Sequence, residues 1–136
     1  MSHKLEFEKL ASYDAGKDGI SIDVELRFKN ESLILEAKVD TGATFCIFER
    51  RLGEKLGLDI ESGAPRRVGT VVGSFLVFGH GITLITVDFE FDAMVYFAQD
   101  ESFKQNVLGR HGWLDRVIIG INDYDGKLYL SRYEDE

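Results

Sequence analysis

Ile20, Ile22, Val24, Leu26 and Phe28 alternate with Ser21, Asp23, Glu25 and Arg27. A period of two sustained over nine residues marks a strand with one buried face. Lys29-Asn30-Glu31-Ser32 is polar and turn-like, and Leu33, Leu35, Ala37 and Val39 then alternate against Ile34, Glu36 and Lys38. The two runs predict a β-hairpin whose second strand ends at Asp40. Leu52 and Leu56 lie among Glu49, Arg50, Arg51, Glu54 and Lys55, a helical spacing that predicts a short helix over Phe48 to Leu58, ending near Gly57. Ser62-Gly63-Ala64-Pro65 reads as a loop. Arg66 to Gly73 and Ser74 to Phe78 read as the arms of a glycine-turned hairpin. Ile85, Val87, Phe89 and Phe91 fall on one face of a further strand, and Ala93 to Ala98 on a short apolar strand after a tight turn. Asn106 is placed to cap a helix over Val107 to Arg116, with Trp113 and Leu114 packing it on the sheet. Val117 to Ile121 and Lys127 to Ser131 form a last hairpin turned at Tyr124-Asp125-Gly126.

From Val68 to Val87 the chain carries no Asp, Glu, Lys or Arg. A spanning helix needs about 20 mainly apolar residues, but Gly69, Gly73, Gly79 and Gly81, with Thr70, Ser74, Thr83 and Thr86, favour strands and turns. The expected architecture is mainly β, with one or two short helices. It fills one domain over residues 1–136, with a core from about 20 to 131.

Composition narrows the function. The 136 residues include 24 acidic and 16 basic side chains, a net charge of −8. That balance excludes a typical nucleic-acid binder, which needs a basic face. One proline and 44% hydrophobic residues describe a globular chain. The single Cys46 has no partner for an internal disulfide, and no charged-then-apolar leader opens the sequence. The expected location is therefore the cytoplasm, with no membrane contact. Glu134-Asp135-Glu136 reads as a solvated tail.

The chemistry concentrates in Val39-Asp40-Thr41-Gly42-Ala43. An apolar strand delivers a carboxylate into a sharp turn, with a glycine to shape it and a hydroxyl to brace it. Asp and Gly are also ordinary turn residues. The tripeptide arises by accident in roughly one chain in ten of this length, so a second element is needed. It comes downstream as Val107-Leu108-Gly109-Arg110, two apolar residues followed by Gly-Arg.

Together the two motifs resemble those of the retropepsin-like aspartic proteases, the single-domain relatives of pepsin. Asp40, Thr41, Gly42 and Ala43 match the family's Asp-[Thr/Ser]-Gly-Ala, and Val107, Leu108, Gly109 and Arg110 match its apolar-apolar-Gly-Arg/Asp segment. The similarity covers about Ile20 to Arg116. It implies a closed β-barrel and an aspartic endopeptidase. In such an enzyme the segment around Gly109 and Arg110 supports the active loop, and the Arg66 to Phe78 hairpin covers substrate. Val71, Val72, Gly73 and Ser74 would form the tip of that flap, and Ala43 would join them against substrate. Where the retroviral enzymes often place an aspartate after the alanine, this chain has Thr44 and then Phe45. That leaves the partner of Arg110 open. His111-Gly112-Trp113 and a full terminal hairpin resemble the cellular and bacterial members more than the viral ones.

Peptide hydrolysis by this route needs two carboxylates sharing one proton, their repulsion separating an acid from a base. The chain has one Asp-Thr-Gly and no second Asp-[Thr/Ser]-Gly. The expected enzyme is therefore a homodimer acting on peptide or protein, with Asp40 from each copy on a twofold axis. No cofactor and no metal is expected. Two other readings stay open: a retropepsin-like dimer kept as a binding or regulatory module with weak or no proteolysis, and a monomer in which Asp40 only turns the chain.

Other candidates are weaker. Gly79-His80-Gly81 lacks the third glycine of a dinucleotide fingerprint. Asn122 to Gly126 resembles a calcium loop, but its first ligand position falls on Ile121. His3, His80 and His111 are scattered. Phe45-Cys46-Ile47-Phe48 reads as core rather than as the site of a nucleophile.

Overall fold

The computed structural model describes residues 1–133, so the acidic tail Glu134-Asp135-Glu136 lies outside the described residues. Strands carry most of the chain: β1 (Lys9–Ser12), β2 (Ser21–Phe28), β3 (Glu31–Val39), β4 (Ile47–Phe48), β5 (Ala64–Thr70), β6 (Gly73–Thr86), β7 (Phe89–Ala98), β8 (Val107–Leu108), β9 (Val117–Asn122) and β10 (Lys127–Arg132). Among the described residues, one α-helix, α1 (Arg50–Lys55), and two 3-10 turns, Ile60–Ser62 and Leu114–Arg116, complete the order.

Seven strands form one sheet in the order β2-β3-β8-β4-β7-β6-β5, and an additional β2–β6 pairing bends six of them into a ring. The alternation read from the sequence sets the first hairpin, with Ile22 opposite Ala37 and Leu26 opposite Leu33. A register slip of one residue would turn every apolar side chain of β2 to solvent. The long strand β6 joins three neighbours. Its residues pair with β5 from Gly73 to Gly79, with β7 from Val77 to Thr86, and with β2 from Thr83 to Thr86. From Gly73 to Leu76 its only strand partner is β5, so that end of the hairpin extends past the ring. The expected loop at Ala64 and Pro65 is already part of β5.

A second antiparallel sheet, β1-β10-β9, packs on the ring. Leu128 and Leu130 of β10 are fully buried in the same cluster as Leu26, Leu84, Phe97 and Trp113 of the main body. One core therefore serves both sheets. Trp113 is buried as expected, and its indole N–H donates to the Thr86 hydroxyl at 3.0 Å. Among the described residues, no helix is long and apolar enough to cross a membrane.

Four further sequence expectations are corrected. Ile85 to Phe91 is not one strand but the tip of the β6–β7 hairpin. Val87 and Asp88 turn it, both with positive φ (48° and 70°). Two consecutive left-handed residues match the twist of the flanking strands. Valine is a poor marker for such a turn, and it hid this one. The tight turn expected before Ala93 does not exist, because β7 runs unbroken from Phe89. The helix expected over Val107 to Arg116 is also absent. Val107 and Leu108 pair with Lys38 and Val39 of β3 as a parallel strand. The chain then passes through wide turns, with Leu114 N–H donating to Gly109 C=O and Asp115 N–H to Arg110 C=O. Pairing with β3 and β4 won over helix propensity here. The helix expected over Phe48 to Leu58 shrinks to α1 for the same reason, since Phe48 belongs to β4.

Candidate active site

Strand β3 carries Asp40 to the rim of the ring, and β8 holds it there. The Asp40 N–H donates to Leu108 C=O at 3.0 Å, just past the parallel pair Val39–Leu108. The chain then turns back on itself. Gly42 N–H donates to Asp40 Oδ1 at 3.0 Å and Ala43 N–H to Asp40 C=O at 3.1 Å. One carboxylate oxygen is thus tied by its own loop. Asp40 is half-buried, whereas Thr41 and Gly42 are exposed.

Behind this loop, Arg110 N–H donates to Ala43 C=O and His111 N–H to Thr44 C=O, both at 2.9 Å. Gly109 makes that contact possible. A Cβ there would lie 2.3 Å from the Phe45 carbonyl oxygen and 2.8 Å from that of Ala43. Only a residue without a side chain lets the two backbones approach so closely. The structure thus brings Asp40, Gly42, Ala43, Gly109 and Arg110 into one assembly, through main-chain bonds. The Arg110 side chain is exposed and, among the described residues, has no carboxylate at ion-pair distance.

Beneath the loop, Cys46 is fully buried and its Sγ accepts the Gly109 N–H at 3.4 Å. Burial pushes its thiol up to about 12, against the lowering effect of the Gly109 bond. This is a packing residue and not a poised thiolate.

Asn106 does not cap a helix. Its side-chain oxygen accepts the Glu49 N–H at 3.0 Å and its amide donates to Glu49 Oε2 at 2.9 Å. Those bonds tie the strand behind the active loop to the start of α1. Burial opposes the charge on Glu49, but hydrogen bonds from Asn106 and Arg51 and the charges of Arg51 and Lys104 outweigh it. The Glu49 carboxyl is held below its ordinary range.

Asp40, Gly42, Ala43, Thr44, Phe45 and Ile47 form one wall of a cleft of about 420 Å³. Arg67, Val68, Gly69, Thr70 and Phe75 of the β5–β6 hairpin face them, and Phe103, Gln105 and Val107 complete the lining. Phe75 and Phe103 stack with ring centroids 5.1 Å apart. The hairpin turns at Val71 and Val72, both fully exposed, followed by Gly73 at φ 143°. Thr70 braces the turn by donating to Gly73 C=O at 3.0 Å. Val71, Val72, Gly73 and Ser74 join the lining residues Thr70 and Phe75 and do not themselves line the cleft in the single chain.

Phe45, Arg67, Phe75 and Phe103 were not legible from sequence as cleft residues. Phe103 sits in a polar stretch between strands, and nothing local marks it for a lining role.

A family model described as aspartyl protease matches residues 24–111. Among curated proteins nothing matches. Solved structures that share the fold include two retropepsin-like proteases. A retropepsin-like aspartic protease from Rickettsia conorii aligns with a TM-score of 0.66 at 19% identity, covering 90% of this chain and 96% of that one. The protease of EIAV, complexed with the inhibitor HBY-793, aligns with a TM-score of 0.57 at 18% identity, covering 74% of this chain and 88% of that one. The family match takes in the Asp40 loop, the ring strands around it and the Gly109 segment behind it, and this chain belongs to the aspartyl protease family with a retropepsin-like fold.

Proposed function

We propose that this protein is an aspartic endopeptidase that works as a homodimer, with Asp40 of each copy forming the catalytic pair. The observation that carries the reading is the single Asp-Thr-Gly, whose carboxylate opens into a peptide-sized cleft with one oxygen tied to Gly42 N–H. One carboxylate cannot act as acid and base at the same time. The second must come from a second copy, and the exposure of Thr41 and Gly42 leaves the loop free to meet its symmetry mate.

In the pair, repulsion keeps one proton shared between two carboxylates. The ionised Asp40 takes a proton from a water held between them, and the water oxygen bonds to the scissile carbonyl carbon. The protonated Asp40 gives its proton to the carbonyl oxygen, forming a neutral tetrahedral diol. The Asp40 carboxyl that took the water proton then gives it to the amide nitrogen, the carbon–nitrogen bond breaks, and one hydroxyl proton returns to the pair as the carboxylic acid product leaves. Thr41 braces the paired loops, Gly42 offers its carbonyl to substrate, and the flap of Val71 to Ser74 closes over the peptide to exclude water. Gly109 and Arg110 support the active loop from behind.

The test is Asp40→Asn, assayed with a peptide library from pH 3 to 8 alongside sedimentation. The wild type sediments as a dimer at micromolar concentration and cleaves best in mild acid. The variant keeps fold and dimer and loses several orders of magnitude in rate, since general acid–base catalysis alone contributes about 10²–10⁴-fold. An active monomer refutes the shared site, and equal cleavage by both proteins refutes Asp40. No cleavage by either at any pH favours a dimeric binding module on the same fold.

A further inference from the structure

Arginines are treated unevenly in this acidic chain. Arg27 pairs with Glu25 and Glu90, Arg50 with Glu54 and Glu61, and Arg51 with Glu49. Among the described residues, Arg66 and Arg67 on β5 have no carboxylate at ion-pair distance. Arg67 is part of the cleft, and Arg66 stands beside it, outside its lining but over one of its walls. The Arg66 guanidinium carbon sits 4.6 Å over the Phe45 ring and 5.8 Å from that of Tyr96. Phe45 is itself part of the cleft wall, and its ring packs on Tyr96 at 4.9 Å. The aromatic pair is a rigid platform that holds an otherwise flexible cation in place. Among the described residues that line the cleft, Asp40 is the only carboxylate.

We propose that this cleft selects peptides carrying an acidic side chain away from the scissile bond, and that Arg66, seated on Phe45, is the specificity-determining residue. The proposal rests on the endopeptidase reading. Gly42, Ala43 and Thr44 separate Asp40 from Phe45 along the same wall. The acidic side chain therefore occupies a flanking position, while the apolar surface of Ile47, Val68, Phe75 and Phe103 receives its uncharged neighbours. The free guanidinium supplies a charge-assisted, two-pronged contact to a carboxylate, which an amide of the same shape cannot match. Because Arg66 is solvent-exposed, the contact is screened and its effect is about tenfold rather than a thousandfold.

The experiment uses the full chain and peptides cleaved by the wild type. Each is made in pairs with Glu or Gln at every position up to four residues either side of the bond. The wild type prefers Glu at one flanking position by about tenfold in kcat/KM, carried by KM, at low salt. Arg66→Met, which keeps the aliphatic stem, brings the ratio close to one, and Arg66→Lys keeps part of it. The preference fades below about pH 4, where the substrate carboxylate is protonated. A ratio near one in the wild type, or one unchanged in Arg66→Met, overturns the proposal while leaving proteolysis standing. If no peptide is cleaved, the endopeptidase reading fails and binding decides. Fluorescein-labelled Glu and Gln versions of one extended peptide are titrated into the full chain and into Arg66→Met. Tighter binding of the Glu version that is lost in the variant supports the acidic subsite, and equal binding overturns it.

Discussion

Replacing Gly109 by alanine puts a methyl group where the active loop already stands. The new Cβ would lie 2.3 Å from the Phe45 carbonyl oxygen, 2.7 Å from its carbon and 2.8 Å from the Ala43 oxygen. All three are backbone atoms, so no side chain can swing aside. Restoring an ordinary contact needs a retreat of about 1 Å. The loop is held by Arg110 N–H to Ala43 C=O and His111 N–H to Thr44 C=O, and that retreat strains both bonds. Overpacking costs about 1–3 kcal/mol, and straining the two hydrogen bonds without losing them adds about 1 kcal/mol in all. The expected loss is about 2–4 kcal/mol. Urea unfolding reads it as a fall in midpoint of roughly 1–3 M, with the single, fully buried Trp113 as the fluorescent probe. Any surviving activity should fall about 100-fold, the scale of a 1 Å misplacement in a site. Gly81→Ala is the control, because a Cβ there meets nothing within 4 Å, and it should stay within about 0.5 kcal/mol. A Gly109→Ala protein as stable and as active as the wild type would refute the claim that this close approach shapes the active loop.

Trp113→Phe removes the donor to the buried Thr86 hydroxyl and should cost about 2–3 kcal/mol by circular dichroism. Adding Thr86→Val should recover part of that loss, and strict additivity would refute the coupling. The lowered Glu49 carboxyl stabilises the fold above its ordinary value of 4.5, and that contribution is lost as pH falls through the lower folded value. The stability gap between wild type and Glu49→Gln, measured by urea from pH 3 to 7, should therefore shrink on acidification; a constant gap would refute the assignment. With its thiol pushed up to about 12, native Cys46 should resist a disulfide reagent at pH 8 and react only on unfolding. Prompt labelling of the folded protein would count against its burial.

Elements with local periodicity were legible in the chain alone. The alternation from Ile20 to Val39 predicted a hairpin because a two-residue period has one way to bury its apolar face, and β2 and β3 pair accordingly. The Asp40 loop and the Gly109 segment were found because each is a short motif, and at Gly109 the glycine answers a steric demand that no other residue meets. Turns and helices set by distant partners were not legible. Val87 adopts a left-handed conformation that its side chain disfavours because the long strands on either side pair and half-bury it. Val107 and Leu108 became a strand because β3 and β4 offered their edges, where local capping signals pointed to a helix. Asn106 supplied that false cap and instead holds Glu49, 57 positions away. The cleft was least legible of all. Phe45, Arg67, Phe75 and Phe103 converge from separate segments, and convergence of that kind is decided by how the ring closes rather than by any pattern along the chain.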